Sequence, residues 1–245
     1  MRSLRLALSL LTIIPARAHE PDANTARNAL LLAPLAGLAA GVPGLLLLLV
    51  ADGPPLVLAT LSVGSLAAMT GALHWDGLAD TADGFAVPAG RSDRLGVMRQ
   101  PDLGPVGALT LGLVLMLQVA ALAALISAEW APTAWLLTVV VSRATLAVTC
   151  LRGTPIARPD GLGSSVIGCI PPAAAIAVAG LAVGAGGLAI EPPVRGIAAM
   201  LAAFAAAGVL RWVATRRIGG VTGDVLGASV EIAAAACLVA FCLSF

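Results

Sequence analysis

The sequence predicts an all-α, polytopic integral membrane helical bundle of about seven transmembrane helices, plus a short N-terminal helix that is interfacial or re-entrant. Of the 245 residues, 59% are hydrophobic and 11% are charged, whereas soluble domains are about 45–50% apolar and about 25% charged. Seven apolar runs approach the roughly 20 residues that a bilayer core requires. They cover residues 30–50, 55–75, 105–127, 132–151, 171–190, 196–214 and 225–244. No soluble segment separates them, so we expect residues 1–245 to form a single transmembrane domain.

The N-terminal segment is apolar but short. Residues 6–14 follow Arg2 and Arg5, and about 12 apolar residues cannot cross a core that needs about 20. The pattern predicts a helix that lies at the membrane interface or dips into it. A secretory signal peptide has a similar pattern, but its removal would reverse the charge asymmetry of the later loops. We therefore expect the segment to be retained.

The loop arginines predict the orientation in the membrane. Nine arginines fall in the loops on one side of the seven runs, and one, Arg195, falls on the other. Because cytoplasmic loops carry the excess of positive charge, we expect the arginine-rich side to face the cytoplasm and the protein to lie in the cell (inner) membrane. The nine are Arg17, Arg27, Arg91, Arg94, Arg99, Arg152, Arg158, Arg216 and Arg217.

The overall charge balance argues against one class of partner. The net charge is +1, and the chain has no basic patch of the kind that nucleic-acid-binding proteins carry. We expect no nucleic-acid partner and the lipid bilayer as surroundings. Homo-oligomerisation is left open.

Three carboxylates stand together at the end of the second apolar run, in a stretch that reads HWDGLADTADG over residues 74–84. In a helix, Asp76, Asp80 and Asp83 fall on one face. Carboxylates that close repel each other unless a cation bridges them, and hard oxygen ligands suit Mg²⁺ or Mn²⁺, which also bind substrate phosphates. The spacing therefore predicts a divalent-metal site with its active face on the cytoplasmic side. The alternative is a solvated helix terminus.

A second acidic block lies at the start of the last run. Asp224 and Glu231 are seven residues apart and share one helix face. An acid delivered to the same membrane face could complete the metal site. The alternative is an N-terminal helix acid that the helix dipole stabilises.

Arginines close to the acids are candidate phosphate ligands. Arg91, Arg94 and Arg99 share a loop with the first acidic block, and Arg143 lies inside the 132–151 run. Guanidinium groups bind phosphate oxygens in pairs, and an ionisable residue within a membrane helix is a functional candidate. The loop arginines could instead anchor the membrane boundary, and Arg143 could extend to the interface.

Carboxylates for a metal and arginines for phosphates predict phosphoryl-group transfer on a diphosphate substrate. A CDP-alcohol phosphatidyltransferase would use the same combination. A cation transporter is a third interpretation, which predicts acids near the bilayer centre on several helices.

At these residues the chain resembles the cobalamin synthase family, the adenosylcobinamide-GDP ribazoletransferases. The resemblance rests on residues 8–15 and 74–84, on Ser142-Arg143, and on the glycine-rich segments 161–168 and 220–228. It implies a Mg²⁺-dependent phosphotransferase that transfers adenosylcobinamide phosphate from adenosylcobinamide-GDP to α-ribazole, or to its 5′-phosphate. GMP is the product released.

The resemblance and the spacing together imply roles for individual residues. Asp83 and Asp80 are the expected catalytic carboxylates, with Asp83 favoured as the base. The family often has an acid directly after the arginine at the place of Arg99, where this chain has Gln100, and Asp102 is the nearest substitute. The expected metal ligands are Asp76, Asp80, Asp83 and Asp224. The expected substrate-binding residues are Arg94, Arg99, Arg143, Asp102, His74, Thr222 and Gly223.

Overall fold

A computed structural model describes residues 1–16, 22–88, 90–160 and 162–243. Arg17, which contributes to the loop charge, and Gly161, from the glycine-rich segment, lie outside these ranges. Within them the structure is helical, with two isolated β-bridges and no β-strand. The predicted all-α class is confirmed.

Twelve α-helices make up the described part of the chain, and a single 3₁₀ turn covers Leu162–Ser165. Five of these helices, together with two consecutive ones taken as one segment over Ala131–Thr149, are long and apolar enough to cross a membrane, and a bent pair of helices gives up to seven spans if it counts as one. This agrees with the predicted polytopic bundle. The helices are α1 (Arg2–Leu11), α2 (Ala23–Leu31), α3 (Ala33–Val50), α4 (Pro55–Thr70), α5 (Leu73–Ala86), α6 (Arg91–Val97), α7 (Pro105–Ser127), α8 (Ala131–Ala144), α9 (Leu146–Thr149), α10 (Pro172–Ala189), α11 (Pro193–Ile218) and α12 (Gly223–Cys242).

The bent pair corrects one predicted span. The apolar run 55–75 is not one straight helix: α4 ends at Thr70, and α5 leaves it at 91°. Gly71 ends α4 in the left-handed conformation with φ of 62°, which glycine adopts without the steric cost that a side chain brings. The acids of the 74–84 stretch consequently lie on a helix of their own.

The N-terminal helix α1 is held against the end of α4. It has ten residues, about 15 Å of helix, and is too short to cross a bilayer. After α1 the Ile13 amide donates to the Met69 carbonyl at 2.8 Å. Next, Asp22 caps α2 by accepting from the Thr25 amide at 2.7 Å, and this bond holds the pKa of the Asp22 carboxyl below its usual value.

Small residues let α3 approach α8 closely. A Cβ added at Gly37 or Gly41 would lie within 2.9 Å of Val139 or of Arg143, so neither position has room for a side chain. The indole of Trp135 uses this proximity and donates to the Gly41 carbonyl at 2.9 Å. Close helix contact through glycine is typical of membrane bundles.

The last helix, α12, is the centre of the bundle. It is buried along most of its length and packs against α5, α7, α8 and α11. By contrast, α7 and α10 turn large apolar side chains outward, including Leu109, Met116, Ile176 and Leu188. Outward apolar faces suit helices that meet lipid.

The loop between α9 and α10 folds back over the end of the bundle. It pairs with the turn before α12, where the Ala157 amide donates to the Val221 carbonyl at 3.0 Å and the Val221 amide donates to the Pro155 carbonyl at 2.9 Å. These backbone bonds fix Arg158 beside the start of α12.

Candidate active site

A cavity of about 420 Å³ opens where α1, α2, α5, α12 and the α9–α10 loop meet. Its polar side carries Asp76, Arg158, Asp160 and Asp224, and its other walls are mostly apolar. A volume of this size lies in the range of about 300–1,000 Å³ that is usual for small-molecule sites. The loop and α12 therefore bring residues of distant sequence position to one pocket.

Helices α5 and α12 touch at the polar side of the cavity. A Cβ at Gly77 would lie 2.7 Å from the Asp224 carbonyl oxygen, and one at Gly227 would lie 3.1 Å from the Cα of His74. This close approach brings the two acidic blocks together. Asp80 experiences the negative charge of Asp76, Asp83 and Asp224 at once.

Asp224 is paired with a positive charge. Arg158 donates to its Oδ2 at 2.6 Å, and the Thr222 hydroxyl lies 3.3 Å from the same oxygen. Thr222 also accepts from the Val225 amide and so caps α12. The predicted substrate contact Gly223 lines the cavity next to them.

Asp83 is engaged in a different way. Its two carboxylate oxygens accept the amides of Gly104 and Gly107, each at 2.8 Å. Gly104 is the N-cap of α7 and Gly107 lies in its first turn, where helix N–H groups have no partner within the helix. Asp83 therefore caps α7 from a neighbouring helix, and its oxygens are occupied by that role.

The remaining predicted loop residues lie around the cavity rather than in it. The exposed Arg99 makes two hydrogen bonds to the carboxylate of Asp160, at 2.8 and 3.0 Å, and Asp160 itself lines the cavity. Arg94 lies on α6, which packs against α5. Asp102 is exposed and lines a smaller pocket of about 290 Å³ together with Asp83 and Gln100.

A charged network lies inside the bundle beneath the cavity. The Arg143 Nη2 atom lies 3.4 Å from Nδ1 of His74, which in turn is 3.9 Å from Glu231. Gln118 donates to the Glu231 carboxylate at 2.9 Å. Arg143 is 1% exposed and Glu231 is 4% exposed, so the charges compensate each other away from solvent.

This network gives Arg143 partners inside the bundle. Arg143 is placed among protein side chains, with Ser142 as a further partner at 3.0 Å, and neither Arg143 nor Glu231 lines the cavity. The position of an arginine within an apolar run cannot show whether its side chain extends to the membrane surface or lies near a buried acid. Arg143 and Glu231 both lie next to His74 of α5, which lines the cavity. The predicted substrate-binding role of Arg143 stays a prediction.

A family model described as cobalamin-5-phosphate synthase matches residues 3–242 of the chain.

The chain belongs to the cobalamin-5-phosphate synthase family.

Individual relatives agree with this assignment. A protein of a Nocardioides species, named adenosylcobinamide-GDP ribazoletransferase, is 40% identical over 243 residues, which cover 97% of this chain and 96% of the relative. A protein of Pseudomonas aeruginosa with the same name is 39% identical over 253 residues, 99% of this chain and 98% of the relative. No solved structure matches the chain. The family resemblance stated from the sequence is confirmed.

The acidic residues of this family member offer a divalent metal a pair of carboxylates on α5. Within the described ranges, no three His, Cys, Asp or Glu side chains lie close enough together to hold one ion. Asp76 and Asp80 lie four residues, about one helical turn, apart on α5, and the charge of Asp76 acts on Asp80. Since Mg²⁺ is usually held by one or two carboxylates plus substrate phosphates, this pair fits it. The predicted ligand roles of Asp83 and Asp224 stay predictions.

Sequence reasoning missed two elements of this synthase-family site. Arg158 was counted only as a loop charge, although it is the arginine that borders the cavity beside Asp224. Gln118 was part of an apolar run and gave no signal beyond being the polar residue there. The signal that could have identified Gln118 is Glu231, because a carboxylate within an apolar helix needs a hydrogen-bond donor from another helix.

Proposed function

We propose that the chain transfers adenosylcobinamide phosphate from adenosylcobinamide-GDP to α-ribazole, or to α-ribazole 5′-phosphate, and releases GMP. Family membership supports this reaction, and the names of the relatives state it for them. The observation that carries the proposal is the cavity, because it joins carboxylates, an arginine and apolar walls in one place. A diphosphate and a nucleoside need these three chemistries together.

The reaction is a displacement at phosphorus. The acceptor hydroxyl forms a new O–P bond to the phosphorus next to cobinamide, and the P–O bond to GMP breaks, so that GMP leaves with the electron pair. The hydroxyl proton needs a base. Asp83 accepts two backbone amides and Asp224 is paired with Arg158. Asp80 experiences the combined negative charge of Asp76, Asp83 and Asp224, and because this charge favours proton uptake we assign the base to Asp80.

Positive charge near the diphosphate comes from Arg158 at the cavity, with Arg94 and Arg99 on the neighbouring loop. A bidentate guanidinium holds phosphate oxygens in a fixed orientation. Asp76 and Asp80 would hold Mg²⁺. When bound, the ion neutralises the diphosphate and stabilises the leaving phosphate.

In this proposal the protein lies in the inner membrane and its site faces the cytoplasm. Support comes from the arginine count of the loops and from the position of α5, α6 and the α9–α10 loop at one end of the bundle. A nucleotide-linked substrate would reach this face from the cytoplasm.

The experiment is GMP release from adenosylcobinamide-GDP by the protein purified in detergent, with α-ribazole and Mg²⁺. We expect Asp80→Asn to lower kcat by at least about 100-fold, within the range usual for loss of a catalytic base, and chelation of Mg²⁺ to stop the reaction. Asp52→Asn is the matched control, because Asp52 lies in the link between α3 and α4, away from the cavity. Full activity of Asp80→Asn, or GMP release without a divalent metal, would contradict the proposal.

A further inference from the structure

The cavity has two chemically different ends. The acids and Arg158 line one end, whereas α1 contributes Ala7 and Leu10 to the other. Leu30 from α2 and Val230 from α12 extend this apolar end. A diphosphate bound at the polar end would leave the apolar end unfilled, so a second, apolar group is needed to complete the site.

The apolar wall is fixed in place. Leu6 and Ala7 of α1 form a buried cluster with Ala29 of α2 and Ala36 of α3, and Ala7 is 1% exposed. The hydrogen bond from Ile13 to Met69 holds the far end of α1 to α4. A wall held at its middle and beyond its C-terminal end has a defined shape, and a defined apolar shape can select a ligand by size.

A ring nitrogen in the cavity lining also lacks a partner. His74 lines the cavity and is 2% exposed, and its Nε2 has no hydrogen-bond partner among the described residues. Arg143 can only donate, so its contact with Nδ1 makes that atom the acceptor and leaves Nε2 with the proton. A buried donor without a partner is costly unless a ligand supplies an acceptor.

We propose that the apolar end, walled by α1 and α2, binds the aromatic base of the acceptor nucleoside and so determines which acceptor is used. The inference rests on the proposed function. A benzimidazole base is a flat apolar ring with one acceptor nitrogen, which matches apolar walls and a single unpaired donor. The ribose hydroxyl then extends towards the acids of α5 at the polar end.

The test uses Leu10, which is half-buried in the lining, and Leu4, which is exposed on the same helix and does not line the cavity. Leu10→Trp fills the apolar end and Leu4→Trp is the matched control. Two acceptors are compared: α-ribazole, with a dimethylbenzimidazole base, and the riboside of benzimidazole without the two methyl groups.

We expect Leu10→Trp to raise KM for α-ribazole by about tenfold or more, the scale of methyl-sized discrimination in apolar pockets, and to leave KM for adenosylcobinamide-GDP unchanged. The kcat/KM ratio of α-ribazole to the smaller riboside should fall by a similar factor, and this ratio does not depend on the fraction of folded protein. Leu4→Trp should retain the wild-type ratio. An unchanged ratio in Leu10→Trp, or a rise in KM for adenosylcobinamide-GDP alone, would overturn the inference.

Calorimetric binding of α-ribazole separates this inference from the proposed reaction. If the wild-type protein releases no GMP, the proposed function fails. The subsite then stands if α-ribazole still binds and Leu10→Trp weakens that binding about tenfold. The subsite inference is refuted if Leu10→Trp changes only the lipid that copurifies with the protein, because the apolar end would then bind an acyl chain.

Discussion

Replacing Gly77 by alanine should impair catalysis because this glycine sets the distance between the two acidic helices. A Cβ at this position would lie 2.7 Å from the Asp224 carbonyl oxygen and 3.0 Å from its Cα. Both atoms belong to the backbone of α12, so no side-chain rotation can make room. The contact can relax only if α5 and α12 separate.

The size of that separation follows from the distance. Ordinary contact begins at 3.4 Å, so the helices must move apart by about 0.7 Å if the whole change is taken up there. Misplacement of reacting groups by about 1 Å can cost about 100-fold in rate, and overpacking costs about 1–3 kcal/mol of stability. We expect Gly77→Ala to lower kcat by about 10- to 100-fold with a modest loss of stability.

The assay is GMP release at saturating substrates, together with thermal unfolding in the same detergent. Gly64→Ala on α4 is the matched control, because a Cβ there has nothing within 4 Å. It should retain wild-type kcat and stability. A Gly77→Ala protein with wild-type kcat would refute the reasoning that the α5–α12 distance positions the acids.

Two further predictions concern residues that stabilise the helices around the site. Asp83→Ala removes the acceptor of the Gly104 and Gly107 amides, so we expect the free energy of unfolding to fall by about 1–2 kcal/mol. The loss should be the same with Mg²⁺ and with a chelator. A loss seen only with Mg²⁺ would instead indicate that Asp83 is a metal ligand. Glu231→Ala leaves the Arg143 charge buried without its acid, which should cost about 3–5 kcal/mol of unfolding free energy. Arg143→Met combined with Glu231→Ala should cost less than the two single losses added, and strict additivity in this double-mutant cycle would contradict their coupling.

The sequence predicted the helices well where apolar runs ended in clear breaks. The last run, 225–244, corresponds to α12, and 171–190 corresponds to α10, because their ends are marked by Pro or by Gly and polar residues. The break inside the run 55–75 was not predicted because Gly71 lies within apolar sequence, and a single glycine is compatible with both a membrane helix and a sharp turn.

The acidic residues were identified from their spacing, but their partners were not. Helical periodicity places Asp76, Asp80 and Asp83 on one face, yet it carries no information about which helix approaches that face. Only tertiary packing assigns Asp83 to the first turn of α7 and Arg158 to Asp224. For the same reason, the burial of Arg143 depends on Glu231 from another helix.

The central position of α12 has a consequence for biogenesis. This helix brings both Asp224, at the cavity, and Glu231, whose partner Gln118 stands 113 positions earlier in the chain. During synthesis, the helices that carry Gln118 and Arg143 emerge from the ribosome before the acid that pairs with them. Arg143 is therefore synthesised before the Glu231 carboxylate that acts on its charge.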